Sequence, residues 1–146
     1  MPRLDAARVD AWRALQSISA ELVRRIDEDL MAEWDVPLGW FDVLAALARA
    51  GGAARPSDLA ADLRLVRSSL SRRLDRLEEE GWVARRRHDA DGDHRAVVVE
   101  LTRRGRALWR EMNVTYRRAV QTHVAGVLTD TDIADLRRIL SKISVT

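Results

Sequence analysis

The chain has 146 residues, 47% of them hydrophobic and 33% charged, enough apolar material for one domain or one compact protomer of an oligomer. Basic and acidic groups nearly balance, 25 against 23, so composition does not place the chain among disordered chains or basic tails. The absence of cysteine excludes disulfides, thiolate-held zinc, iron-sulfur clusters and thiol redox chemistry; no window approaches the ~18 apolar residues of a membrane span, and no apolar stretch follows Met1-Pro2-Arg3-Leu4-Asp5, so a cytoplasmic protein is expected.

From Val9 to Trp34 the apolar residues Val9, Trp12, Leu15, Ile18, Leu22, Ile26, Leu30 and Trp34 recur every three or four positions, which predicts a long amphipathic helix. Pro37 and Gly39 interrupt it. Trp40, Val43, Leu44 and Leu47 then open a second helix that Gly51-Gly52 ends. Pro56, whose missing N–H costs nothing in a first turn, starts a short third helix to Leu63. After a break at Arg64-Leu65, Val66 to Glu80 carries Leu70, Leu74 and Leu77 on one face and stops at Gly81. Short helix, tight turn and second helix make a helix-turn-helix. The period then changes: Trp82-Val83 through Arg85-Arg86-Arg87, a polar loop from His88 to His94, and the β-branched run from Ala96 to Leu101 predict a two-stranded hairpin. Thr102 is placed to cap a helix carrying Leu108, Met112, Val114, Tyr116 and Val120. Thr129 with Asp132 is placed to cap a last one through Ile143.

Charge is distributed unevenly along this order. Residues 1–54 hold six basic and nine acidic groups, residues 55–106 thirteen and ten, and residues 107–146 six and four. The basic groups are 24 arginines and Lys142. Codon bias accounts for much of an arginine excess, but a basic middle segment also points to an anionic partner there. The second helix of a helix-turn-helix presents its N-terminal residues to base edges in the major groove. Here that stretch offers Arg67, Ser68, Ser69, Ser71, Arg72 and Arg73 as donors to phosphates or bases. Three serines within a turn and a half weaken a helix, which argues that this face has a task beyond solvation.

A hairpin directly after such a helix forms a wing, whose basic residue can enter the minor groove. At this point the sequence resembles the MarR (multiple antibiotic resistance regulator) family of winged helix-turn-helix transcription factors. The wing signature of that family, Asp-x-Arg, five residues, Leu-Thr, is matched by Asp93-His94-Arg95, Ala96 to Glu100 and Leu101-Thr102. Pro56-Ser57-Asp58-Leu59-Ala60, Arg72 to Leu77 with Glu78-Glu79-Glu80-Gly81, and Gly105-Arg106-Ala107-Leu108 match its usual run. The resemblance implies a mainly α fold with a small two-stranded β wing. Residues 1–36 would form an N-terminal dimerisation helix, 37–106 the DNA-binding lobe and 107–146 the C-terminal dimerisation helices of a homodimer. It further implies double-stranded DNA with a pseudo-palindromic operator as partner, Arg95 as the minor-groove residue and Asp93 as its positioning partner. The chain departs from the pattern where Arg64 and Val66 stand in place of a turn glycine and a capping serine. Arg64 is therefore expected to accept an unfavourable backbone conformation.

The same resemblance implies a small aromatic or phenolic effector, with Trp12, Trp40 and Tyr116 as its wall. A urate-responsive branch places Trp12, Asp42 and Arg86 in corresponding roles, but Glu100 occupies the position of a second arginine. The plainer reading of Trp12, Trp34, Trp40 and Trp109 is core or dimer interface. Asp89-Ala90-Asp91-Gly92-Asp93 with Glu100 has the spacing of a calcium loop, yet His94 stands where its glycine must be. His88 and His94 beside these carboxylates could form a zinc site, but a polar wing tip is the commoner reading. No metal, cofactor or catalysis is expected: His88, His94 and His123 have no serine partner in a recognisable arrangement, and no phosphate loop is present. The alternative function is a winged-helix interaction or nucleoid module without operator specificity or ligand response.

Overall fold

The computed structural model describes residues 3–87 and 97–143. In chain order the elements are α1 (Ala6–Trp34), α2 (Leu38–Arg49), β1 (Ala53–Ala54), α3 (Pro56–Leu63), α4 (Arg67–Glu79), β2 (Val83–Arg87), β3 (Val97–Leu101), α5 (Arg103–His123), a single 3₁₀ turn (Ala125–Val127) and α6 (Asp130–Ile143). Two compact units result, residues 34–114 forming one and residues 1–33 with 115–146 the other. No helix among the described residues is long and apolar enough to cross a membrane.

In the terminal unit, the Asp5 carboxylate accepts from the backbone N–H of Arg8 at 2.9 Å and caps the start of α1. Only Ile26 and Leu30 of α1 are buried, whereas Leu15, Ile18 and Val23 are exposed within the single chain. His123 Nε2 lies 2.8 Å from Asp29 Oδ2 and Arg118 lies 3.5 Å from Glu33, two polar ties between α5 and α1. A reciprocal capping box opens α6: Thr129 N–H donates to Asp132 Oδ2 at 2.9 Å, and Asp132 N–H donates to Thr129 Oγ1 at 3.1 Å. Those bonds hold the Asp132 carboxyl below its ordinary value. The stability they add is therefore present above the usual carboxylate range and lost as pH falls through the folded value. α6 itself buries nothing, and its Leu136, Ile139, Leu140 and Ile143 stay exposed.

The central unit is a winged helix-turn-helix. Val43, Leu44 and Leu47 from α2, Leu59 from α3, Leu70, Leu74 and Leu77 from α4, Val83 from β2 and Val99 from β3 make one buried cluster. Leu108 and Trp109 of α5 pack against it, so this unit extends into α5 beyond the hairpin. The sheet has three antiparallel strands in the order β1-β3-β2, not two. β2 and β3 pair from Val83 opposite Leu101 to Arg87 opposite Val97, and Ala53-Ala54 adds the third strand opposite Glu100 and Val99. Two alanines after a pair of glycines carry no strand propensity of their own. They pair because β3 otherwise presents an open edge.

The end of α4, the wing and the start of α5 meet at one point. Thr102 Oγ1 donates to the Gly81 carbonyl at 2.6 Å and accepts the Gly105 N–H at 3.0 Å, while its own N–H donates to the Trp82 carbonyl at 3.1 Å. Gly105 is required by contact: a Cβ there would sit 1.9 Å from the Trp82 carbonyl oxygen. Gly105→Ala should accordingly lower unfolding free energy by about 1–3 kcal/mol through overpacking, and Thr102→Ala by ~1 kcal/mol through loss of the cap. Denaturant titration checks both, and a Gly105→Ala protein as stable as the parent would contradict this packing.

Candidate nucleic-acid interface

The turn between α3 and α4 sets where the second helix begins. Arg64 adopts φ 54°, ψ 43°, the left-handed conformation that glycine occupies at least cost, and ends α3 as the sequence led one to expect. The Leu65 N–H donates back to the Ala60 carbonyl at 2.9 Å, closing the turn. Val66 is extended and supplies no side-chain cap, so the helix starts at Arg67.

Leu70, Leu74 and Leu77 follow one another at steps of four and three and are essentially fully buried. That stripe turns the opposite face outward. Arg67, Ser68, Ser71 and Arg72 are exposed together on it, and Ser69 is half-buried at its margin. Arg73 is not brought to this group. Three residues after Leu70 it flanks the leucine stripe, and its guanidinium donates to the Gly39 carbonyl of α2 at 2.9 Å. A Cβ on Gly39 would lie 3.0 Å from that guanidinium, so the absence of a side chain makes room for the contact.

The three arginines of β2 have different surroundings. Arg85 turns to α4: its guanidinium donates to Asp75 Oδ1 at 2.7 Å and to the Ser71 carbonyl at 3.1 Å, and its backbone N–H donates to Glu78 Oε2 at 3.2 Å. Arg86 pairs with Glu100 of β3 at 3.0 Å. Arg87 is exposed at the end of the strand. Asp93 and Arg95 lie outside the described residues, as do His88, His94 and the acidic run Asp89 to Asp93. Among the described residues no group of three His, Asp or Glu side chains is placed to hold a metal ion.

The residues assigned to an effector are divided between the units. Trp12 and Tyr116 belong to the terminal unit, where Trp12 is 58% exposed. Trp40, Asp42 and Arg86 belong to the central one. Trp40 packs edge-on against Trp82, ring centroids 6.2 Å apart. The terminal unit also has an open groove of about 420 Å³ lined by Asp29, Glu33, Thr115, Arg118 and Thr122, with neither Trp12 nor Tyr116 in its wall. Arg86, neutralised by Glu100, is not a free anion ligand in this arrangement. Sequence reasoning missed the contacts of Arg85, because nothing local to Arg85-Arg86-Arg87 says which of the three turns back onto α4.

Burial pushes the Asp42 carboxyl above its ordinary value, against the opposing pull of Arg73 and Arg49. A carboxyl with a raised folded pKa binds its proton more tightly in the native state, so its contribution falls as pH rises from the usual carboxylate range through the folded value. Asp42→Asn should therefore raise Tm at neutral pH, with the gain shrinking towards pH 4, the ordinary carboxylate range. Arg73→Ala should lower stability by about 1–3 kcal/mol, since it removes a charged donor from a half-buried carbonyl. Thermal melts across pH check the first and denaturant titration the second.

Comparison with known proteins places this geometry among relatives. A MarR family profile matches residues 34–95, which run from the last residue of α1 across the helix-turn-helix into the wing. The HTH-type transcriptional regulator PecS of Dickeya dadantii is 34% identical over 125 residues, covering 84% of this chain and 69% of PecS. Sco3205, a MarR family transcriptional regulator from Streptomyces coelicolor solved in complex with DNA, superposes with a TM-score of 0.86 at 28% identity, covering 98% of this chain and 89% of that one. A mutant MarR from Escherichia coli complexed with operator DNA gives a TM-score of 0.83 at 26% identity, covering 99% and 100%. With its helix-turn-helix, wing and flanking helices matched over nearly their whole length, the chain belongs to the MarR family.

Proposed function

We propose that this protein is a sequence-specific, DNA-binding transcriptional regulator that acts as a homodimer, and that it represses until a small aromatic or phenolic ligand releases it. The observation that carries the reading is the outward face of α4. Two serines and two arginines stand exposed opposite a fully buried leucine stripe, which is the arrangement a helix needs to offer short polar groups and forked donors to a major groove. Relatives of the same fold solved with DNA support it. In this reading Arg72 and Arg67 meet bases or phosphates, Ser68, Ser69 and Ser71 add shorter contacts, and Arg95 enters the minor groove with Asp93 as its positioning partner.

The exposed apolar residues of α1 and α6 support the homodimer, because Leu15, Ile18, Leu136, Ile139, Leu140 and Ile143 would otherwise face water. Two equal α4 helices related by a two-fold axis then require half-sites about one helical turn, roughly 10 base pairs, apart. A ligand acts through its difference in affinity between the DNA-competent spacing and another one. For that ligand the residues offered are Trp12 and Tyr116 in the terminal unit and Trp40, Asp42 and Arg86 in the central one, and an anion bound by Arg86 has to displace Glu100.

Selection from random duplexes tests the function: an inverted repeat is the expected product, and recovery of no preferred sequence would favour a nucleoid or interaction module. Arg72→Ala should weaken binding by about 1–3 kcal/mol on the selected site and less on random duplex. Equal losses on both would reduce Arg72 to a phosphate contact. Light scattering should return twice the mass of the 146-residue chain, and a monomer at micromolar concentration would overturn the dimer. Tryptophan fluorescence against aromatic acids and phenols, read beside operator release, tests the ligand; quenching without release would separate the pocket from control of DNA.

A further inference from the structure

Resting on the DNA-binding reading of α4, we propose that Arg85 is a positioning residue that locks this helix to the wing strand and so holds Ser71 and Arg72 in the register from which bases are read. The partners of Arg85 fall at residues 71, 75 and 78 of α4, at steps of four and three, and therefore run along a single flank of the helix for two turns. That flank adjoins the exposed face and is distinct from the leucine stripe. The leucines fix how deep α4 lies. They do not by themselves resist a small roll of the helix about its axis, because apolar contact is non-directional.

Arg85 supplies the direction. One guanidinium nitrogen, Nη2, donates to both a backbone carbonyl and a carboxylate oxygen, and the bond to the Ser71 carbonyl grips the helix main chain rather than a movable side chain. β2 is an edge strand in the order β1-β3-β2, so its outward N–H groups need acceptors other than a neighbouring strand. Glu78 provides one at Arg85 itself. The side chain of Arg85 is 29% exposed, the least open of the charged groups in this contact, against 57% for Asp75. Its two neighbours are spent differently, Arg86 on Glu100 and Arg87 towards solvent. The triplet Arg85-Arg86-Arg87 thus holds three separate roles, and only the first couples the two elements expected to meet DNA.

Asp75 gives the proposal a test whose sign is opposite to simple electrostatics. Removing an acidic group beside a DNA-binding face reduces repulsion from phosphates and, on charge alone, strengthens binding to every duplex. If Asp75 serves to hold Arg85, Asp75→Asn instead weakens binding to the selected site by about tenfold, a size usual for coupled neighbours, and leaves random-duplex binding equal or tighter. Arg85→Ala should lose at least as much on the selected site, with a smaller loss on random duplex from the missing cation, and the double variant should be no worse on the selected site than Arg85→Ala alone. Circular dichroism and thermal melts accompany the titrations; should Arg85→Ala fail to fold, Asp75→Asn decides the matter unaided. Tighter or unchanged binding of Asp75→Asn to the selected site would overturn the proposal, as would additive losses in the double variant. A parent protein with no preference for any sequence would instead overturn the DNA-binding reading itself.

Discussion

Burying Leu70, Leu74 and Leu77 decides, to within a small roll, which face of α4 turns outward, and the placement of the central unit's polar groups follows from that restriction. Each leucine is almost without exposed surface, so presenting any other face inward would return three large apolar side chains to water. At about 25 cal/mol per Å² of apolar surface that is several kcal/mol, comparable with the whole stability margin of a small domain. The polar face is consequently outward as a result of the core, and the side chains of its serines and arginines are not what turns it there. Those residues are free to be chosen for a partner.

Attachment at both ends completes the placement. At the N-terminal end Arg64 takes a left-handed conformation and Val66 leaves the first turn without a side-chain cap, so the start of α4 is held by the chain reversal and not by local capping. At the C-terminal end Gly81 turns the chain into β2, and Thr102 joins that turn to α5 with Gly105 packed against the Trp82 carbonyl. The wing is therefore built onto the same point that terminates the helix. A change at Gly105, remote in sequence from α4, acts on the base of the wing.

Much of this was legible in the sequence. The leucine spacing, Pro56 at the start of α3, Gly81 after α4, the Thr102 cap and the Thr129-Asp132 box are each short-range signals whose physics is complete within eight residues, and the structure shows each of them. β1 was not legible, because two alanines pair only where another strand offers them an edge. Arg73 read as one more basic residue on a polar face, and only the approach of Gly39 in space turns it inward. The same holds for Arg85, whose partners lie seven to fourteen residues upstream on another element. The apolar stripes of α1 and α6 are legible in residue spacing alone, and the single chain leaves Leu15, Ile18, Leu136, Ile139, Leu140 and Ile143 exposed.

The central claim is that the outward face of α4 reads sequence and does not merely attract phosphate. Affinity for a selected inverted repeat and for a random duplex, measured side by side from about 50 to 200 mM salt, tests it most directly, because phosphate contacts weaken with salt while base contacts do not. The account predicts two lines of similar slope separated throughout by at least about a thousandfold in affinity. Lines that coincide, or that converge as salt rises, would show binding by charge alone and contradict it.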